Sequence, residues 1–272
     1  MAFHAVRPAM VAGHFYPVDP QALTAQIQGL LAHAVPSDAL VPPKALIVPH
    51  AGYLYSGPIA ASAYAQLQPW RDVIRRVVLL GPSHHEHFPG VAVAGTGAFA
   101  TPLGEVPVDH DAVFAMAQRA GVLVDDRPHA REHALEVQLP FLQTVLGHFR
   151  VLPLLTGMVE PGALAGLLDA VWGGPETLIV VSSDLSHYQP YEQAREQDTA
   201  SVASMLALAP TLQQTDACGV SGVNALLMAA RNHGLQATLL DMRNSGDTAG
   251  ERGSVVGYAA VNFTMQTRHA VH

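Results

Sequence analysis

Short, continuously apolar segments alternate with helix-like segments along most of this 272-residue chain. The predicted strands Ala45–Val48, Arg76–Leu80 and Thr177–Val181 show little alternation between apolar and polar side chains. Strands have this composition when helices cover both faces of their sheet, as in parallel α/β proteins. The pattern predicts a single three-layer α/β domain over residues 1–265, with a central mostly parallel sheet and helices on both faces. Residues 266–272 are predicted to be a disordered tail.

Capping residues and apolar periodicity place the other elements. Asp19 is a good N-cap, and Pro20 suits the first position of a helix whose leucines and isoleucine form one apolar stripe. Similar reasoning predicts helices over about 57–67, 109–120, 132–146, 161–172, 191–208 and 222–233, and further strands over 91–94, 151–155, 237–241 and 254–263.

The composition excludes several classes of protein. The net charge is −8, without a run of basic residues, which argues against nucleic-acid binding. The N-terminus lacks the apolar core of a signal peptide and no run of 18 apolar residues occurs, so we expect a cytoplasmic protein without a membrane span. One cysteine, Cys218, rules out an internal disulfide, and the sequence favours a small, unreactive residue there over a nucleophile.

Three histidines follow three of the apolar strands. His50, His84 and His187 each come a few residues after the end of a predicted strand. In an open α/β sheet, ligands bind in the crevice at the carboxyl ends of the strands. Three imidazoles brought there from distant parts of the chain predict a metal site or a general acid–base cluster.

Other polar residues accompany these histidines. Asp184 precedes His187 by three residues and could fix its tautomer, although it could also cap the next helix. Glu132 and His133 begin a predicted helix, on which His133 and Glu136 share a face; a surface ion pair of these two residues is the alternative interpretation. Asp247 lies in a polar turn that either carries a carboxylate to the pocket or is an ordinary turn.

Motifs of common enzyme classes are missing. The chain has no phosphate-binding Gly-rich motif of the nucleotide or dinucleotide type, and no Gly-x-Ser-x-Gly elbow. The segment from Glu132 to Glu136 is not the His-Glu-x-x-His motif of zinc proteases. NTP hydrolysis, nicotinamide chemistry, α/β-hydrolase chemistry and zincin-type proteolysis are therefore not expected.

Six segments, in the same order along the chain, resemble the Memo family, whose prokaryotic members are called AmmeMemoRadiSam system protein B. Each segment alone is a weak signal, but together they are specific and span nearly the whole chain. They are Gly13–Pro17, Pro49–Tyr53, Leu80–His85, Glu132–Pro140, Val181–His187 and Val256–Ala260.

This family is similar in fold to class III extradiol dioxygenases, which open catechols with non-haem Fe(II). The resemblance implies that His50 and His84 match the two histidine ligands of the dioxygenase iron, and that His187 matches a third pocket histidine. His133 resembles a histidine that lies beside the ligands. The human family member has a cysteine where the dioxygenases have a glutamate ligand, and counting ten residues back from Tyr258 puts Thr248 there.

The resemblance implies an Fe(II) site, with Cu or Zn as alternatives, formed by His50, His84 and His187, with Asp247 as a possible further ligand. Thr248 is a poor ligand for Fe(II), so ring cleavage is not implied. Expected catalytic residues are His133, Asp184 and His187, and expected pocket residues are Tyr53, Ser83, His85, Glu132 and Thr248.

The predicted function is metal-dependent redox chemistry or metal handling. The family resemblance implies partnership with a radical-SAM protein and an AMMECR1-type protein. Whether the protein is an enzyme is left open. The alternatives are a non-catalytic binding module for a phosphorylated or anionic peptide, and an extradiol-type Fe(II) dioxygenase.

Overall fold

A computed structural model of the chain describes residues 5–36 and 40–265, so the predicted tail lies outside the described residues. Within them, the strands are β1 (Val6–Arg7), β2 (Ala45–Val48), β3 (Arg76–Pro82), β4 (Val91–Val93), β5 (Ala98–Thr101), β6 (Gly104–Pro107), β7 (Val122–Val124), β8 (Arg150–Thr156), β9 (Thr177–Ser182), β10 (His187–Gln189), β11 (Leu235–Asn244) and β12 (Val255–Met265). The α-helices are α1 (Pro20–Ala32), α2 (Tyr53–Tyr64), α3 (His110–Ala117), α4 (Arg127–Ala130), α5 (Leu139–Val145), α6 (Pro161–Ala170), α7 (Tyr191–Leu206) and α8 (Val220–Asn232).

Nine strands of the described part of the chain form one sheet, in the order β10-β12-β2-β9-β3-β8-β4-β7 with β11 beside β12. The four central strands, β2, β9, β3 and β8, are all parallel. Antiparallel pairing begins on either side of them, where β12 meets β2 and β4 meets β8. The predicted mostly parallel α/β sheet is confirmed. Strands β1, β5 and β6 form a separate small sheet.

Helices pack on both faces of the sheet, as predicted. Gly222 of α8 lies over Leu80 of β3, close enough that an added Cβ would be 3.1 Å from the Leu80 side chain. The next residue of β3, Gly81, faces the other way, because successive residues of a strand point to opposite faces. A Cβ there would lie 2.9 Å from the side chain of Leu135, just ahead of α5. Helices α1, α2 and α5 contact one another, and α6 packs on α8.

One predicted helix begins later than its pattern indicates. In place of a helix over 132–146, the structure has a 3₁₀ turn, Glu136–Gln138, followed by α5. The carboxylate of Glu132 accepts the backbone N–H groups of His133 and Ala134. Local hydrogen bonds of this kind compete with helix formation. The His133 segment is therefore irregular.

Among the described residues, the helices are all too short or too polar to cross a membrane.

Candidate metal centre

The carboxyl ends of three neighbouring strands meet at one edge of the sheet. His50 follows β2, Asp184 follows β9 and His84 follows β3, and β9 lies between the other two strands. His50 and His84 approach each other with ring centroids 5.1 Å apart. With His133 they form a group whose potential ligand atoms all lie within 4.8 Å of one another. We call these three residues the histidine cluster.

The histidine cluster opens into a cavity of about 580 Å³. The cavity wall combines imidazoles, a carboxylate, a thiol and aromatic rings. Its lining residues are Phe15, His50, Ala51, Gly52, His84, His133, Asp184, His187, Tyr188, Gln189, Gln214, Thr215, Cys218 and Val256.

His133 reaches the cluster from the irregular segment ahead of α5, not from a strand end. The lack of a side chain at Gly81 lets this segment lie directly on the sheet. The His133 ring stacks on His84, with centroids 4.7 Å apart and planes 24° apart. Phe15 also contacts the His133 ring, with centroids 4.9 Å apart and planes 56° apart. Two aromatic neighbours thus help to hold the His133 ring.

Glu132 is a buried residue whose carboxylate holds His84 in place. Its carboxylate accepts the backbone N–H of His84 at 2.6 Å and lies 2.8 Å from Nδ1 of the same residue. Burial opposes the charge, but the hydrogen bonds from His84 and the charge of its imidazolium lower the pKa of Glu132 to about 2. The ionised carboxylate accepts the Nδ1 proton of His84 and leaves Nε2 available.

The three imidazoles differ in their affinity for protons. Burial lowers the pKa of His50 to about 3 and that of His133 to about 4, and neighbouring histidines add to both effects. Burial also acts to lower the pKa of His84, but its hydrogen bond to Glu132 and the charges of Glu132 and Asp184 raise it above the ordinary value. Two rings of the cluster are therefore neutral at pH 7, as metal ligands must be.

Cys218 lies beside the cluster, where sequence reasoning did not place a ligand. Its Sγ is 3.2 Å from Nε2 of His50 and accepts the backbone N–H of Asp184, also at 3.2 Å. Burial and the charge of Asp184 raise the pKa of the thiol to about 12. A bound cation would reverse this preference, because metals deprotonate coordinating thiols. The neighbouring residue, Gly219, lets the Cys218 turn lie close to the end of β9, since a Cβ at Gly219 would be 2.8 Å from the Cβ of Ser183.

His187 lines the same cavity but is not one of the three clustered histidines. Its Nδ1–H donates a hydrogen bond to the carbonyl oxygen of Leu185, at a distance of 2.8 Å. In the neutral ring Nε2 is therefore unprotonated. Asp184 accepts the backbone N–H of His50 at 2.7 Å, and burial raises the pKa of its carboxyl. Both residues lie beside the cluster, within the cavity wall.

The structure places Asp247 and Thr248 away from this cavity. Asp247 is exposed, accepts the hydroxyl proton of Tyr191 at 2.5 Å and caps a 3₁₀ turn. The hydroxyl of Thr248 donates to Ser245 O at 3.2 Å. The prediction of Asp247 as a ligand and Thr248 as a pocket residue therefore needs correction. The distance in sequence from Tyr258 predicts Thr248 in the pocket, but Thr248 lies in the connection between β11 and β12. The cysteine that lines the cavity is Cys218, in the turn before α8.

Three other predicted pocket residues, Tyr53, Ser83 and His85, are not among the residues that line the cavity. Tyr53 is buried, and its hydroxyl donates to Val137 O at 2.6 Å. Ser83 lines a smaller neighbouring cavity. His85 is exposed, and its ring centroid lies 6.4 Å from that of His133.

Fold and site together define an α/β protein with a three-histidine group, able to hold a metal ion, at the carboxyl edge of its parallel strands. A family model described as Memo-like protein matches residues 7–262. The chain belongs to this family, and the predicted resemblance is confirmed.

Several archaeal relatives are similar over nearly their full length. A MEMO1 family protein of Ignicoccus hospitalis is 36% identical, with 96% of this chain and 99% of the relative covered. A MEMO1 family protein of Methanopyrus kandleri is 35% identical, with 94% of this chain and 98% of the relative covered. One of Sulfolobus acidocaldarius is 33% identical, with 95% of this chain and 99% of the relative covered. The range matched by the family model includes all three residues of the histidine cluster.

Proposed function

We propose that this protein binds one first-row transition metal ion, with iron as the native metal, through His50, His84 and His133, with Cys218 as a further ligand. The observation that supports this is the convergence of three imidazoles within 4.8 Å at the carboxyl edge of the sheet. The bound ion would serve metal-dependent redox chemistry or metal handling.

The donor atoms fit a metal of intermediate softness. Imidazole suits iron, copper and zinc, and thiolate favours copper(I), zinc and iron over magnesium or calcium. Two ligand rings are held neutral by burial, and the carboxylate of Glu132 orients the third. These features lower the free-energy cost of binding an ion, because two ligands are already neutral and the third is already oriented.

The arrangement supports ring cleavage less well than redox chemistry of another kind. The extradiol reaction uses a facial triad of two histidines and a carboxylate. Here the carboxylate nearest the cluster, Glu132, accepts hydrogen bonds from three backbone N–H groups and one imidazole. Extradiol dioxygenase activity is therefore the second candidate function, after redox chemistry of another kind.

A bound ion would supply Lewis-acid or one-electron chemistry. The residues beside it would handle protons. His187 presents an imidazole in the cavity wall with its Nδ1 proton engaged, and Asp184 is a buried carboxyl with a raised pKa. Both types of group act as general acids or bases.

The partners and the cellular location form a separate part of the proposal. We propose that the protein works in the cytoplasm with a radical-SAM protein and an AMMECR1-type protein. The support for the partners is the family resemblance.

The pH dependence of Co(II) binding tests the metal site. A metal must displace the proton of His84, whose pKa is raised, whereas His50 and His133 are already neutral. The thiol of Cys218, whose pKa is raised to about 12, must also lose its proton to bind the ion. We therefore expect the affinity to fall by about a hundredfold per pH unit below the His84 pKa, where two protons are released for each ion bound, and by about tenfold per unit above it, where one is released. Isothermal titration with Co(II) between pH 5.5 and 8.5, roughly the range around an ordinary histidine pKa, measures this dependence.

Inorganic phosphate is the control ligand in the same titrations. An anion-binding module would bind phosphate more tightly as pH falls, because protonated histidines attract it. Tight, acid-enhanced phosphate binding without Co(II) binding would replace the metal proposal with the binding-module alternative.

A further inference from the structure

We infer that Ser182 is a positioning residue that fixes the tautomer of His50 and ties its segment to that of His133. This inference rests on the proposed metal-binding function. Ser182 is the last residue of β9, is fully buried and pairs with Val48 of the neighbouring strand β2. Its hydroxyl lies 2.9 Å from Nδ1 of His50.

Gln138 determines the direction of hydrogen bonding around this hydroxyl. Its side-chain Nε2 donates to the carbonyl of Pro49 and to Ser182 Oγ, both at 2.9 Å. Its Oε1 accepts the hydroxyl proton of Tyr64 at 2.7 Å. The amide cannot be reversed, because that would place its oxygen against the Pro49 carbonyl. Gln138 is therefore a donor to Ser182.

The hydroxyl of Ser182 has one proton, and its destination is also fixed. It lies 2.6 Å from the carbonyl oxygen of Ala134, which can only accept. Towards Gln138 and His50 the oxygen must then act as an acceptor. It follows that Nδ1 of His50 carries the ring proton, and that Nε2 is unprotonated in the neutral ring.

Two consequences for the metal centre follow from this arrangement. The lone pair of Nε2 of His50 faces the Sγ of Cys218, 3.2 Å away, and is available to an ion in the cavity. The same hydroxyl holds the backbone next to His133 through the Ala134 carbonyl. One buried oxygen thus connects two segments of the histidine cluster, and residues in this kind of supporting position are commonly needed for metal affinity.

Nitrogen NMR of the metal-free protein tests the tautomer directly. In ¹⁵N-histidine-labelled protein, we expect His50 to carry its proton on Nδ1, with its signals assigned by their loss in His50→Gln. In Ser182→Ala, the Nε2-protonated form should appear, because Nδ1 has lost its acceptor and Nε2–H can donate to the Cys218 sulfur.

Co(II) titration of the same variants tests the positioning role. Ser182→Ala should weaken Co(II) binding by about 10- to 100-fold, the usual effect of losing a supporting hydrogen bond. Ser182→Thr, which keeps the hydroxyl, should restore much of the affinity. Ser201→Ala is the matched control, because it removes a buried serine hydroxyl of α7 that donates to Gln197 O, away from the cluster. It should bind Co(II) like the wild type.

The outcomes separate this inference from the proposed function. A wild-type His50 protonated on Nε2 would overturn the inference, as would wild-type tautomer and Co(II) affinity in Ser182→Ala. If wild-type protein binds no Co(II), the metal proposal fails, while the NMR signals still decide the tautomer. If Ser182→Ala does not fold, the wild-type tautomer and the affinity of Ser182→Thr decide.

Discussion

Replacement of His133 by alanine is expected to weaken Co(II) binding by roughly 3 kcal/mol, on the order of a hundredfold. This figure is about one quarter of the binding free energy of a four-ligand zinc site. The reason is that His133, with His50 and His84, belongs to the group of ligand atoms that lie within 4.8 Å of one another. Isothermal titration of the wild type and the variant measures the difference.

His187→Ala and His85→Ala are the controls for this experiment. His187 lines the cavity outside the cluster, and His85 is exposed beside it, so each change should alter Co(II) affinity by less than about tenfold. A larger loss of Co(II) affinity in His187→Ala than in His133→Ala would contradict the assignment of His133 as a ligand. It would show that the ligand set expected from sequence, with His187 as third ligand, is the correct one.

Replacement of Glu136 by glutamine is expected to lower the free energy of unfolding by about 3–5 kcal/mol, because it leaves a buried charge without its partner. The Glu136 side chain is fully buried and accepts a 2.6 Å ion-pair hydrogen bond from Arg7. It also accepts the backbone N–H groups of Met10 and Val11 and the hydroxyl proton of Tyr16. Urea unfolding followed by circular dichroism measures the loss.

An exposed ion pair provides the matched control. Glu192 lies 3.6 Å from Arg195 on α7, and 82% of its side chain is exposed. Glu192→Gln should change the free energy of unfolding by less than about 1 kcal/mol. Equal effects of the two substitutions would mean that the pair of Arg7 and Glu136 does not hold the N-terminal segment in place.

The sheet and part of the metal centre could be predicted from sequence for a physical reason. Parallel strands buried on both faces are continuously apolar, so their ends are easily located. His50 and His84 follow such ends directly, and neighbouring parallel strands bring them together. Local sequence was therefore sufficient to place two members of the histidine cluster.

The other residues of the centre depend on contacts between distant parts of the chain. His133 reaches the cluster because Glu132 holds an irregular segment and Gly81 of β3 leaves room for it. The periodicity of residues 132–146 instead predicts a helix. Cys218 lies in a turn before α8, and its distance to His50 depends on how that helix packs on the sheet. Spacing along the chain does not encode either contact.

The metal content of the protein, purified anaerobically without a histidine tag, tests the central claim most directly. Elemental analysis should find about one iron, copper or zinc ion per chain in the wild type, since one cluster of three histidines offers one site. The double variant His50→Ala/His84→Ala should contain almost none. A wild-type protein free of these metals after growth with iron, or a double variant with undiminished content, would contradict the account.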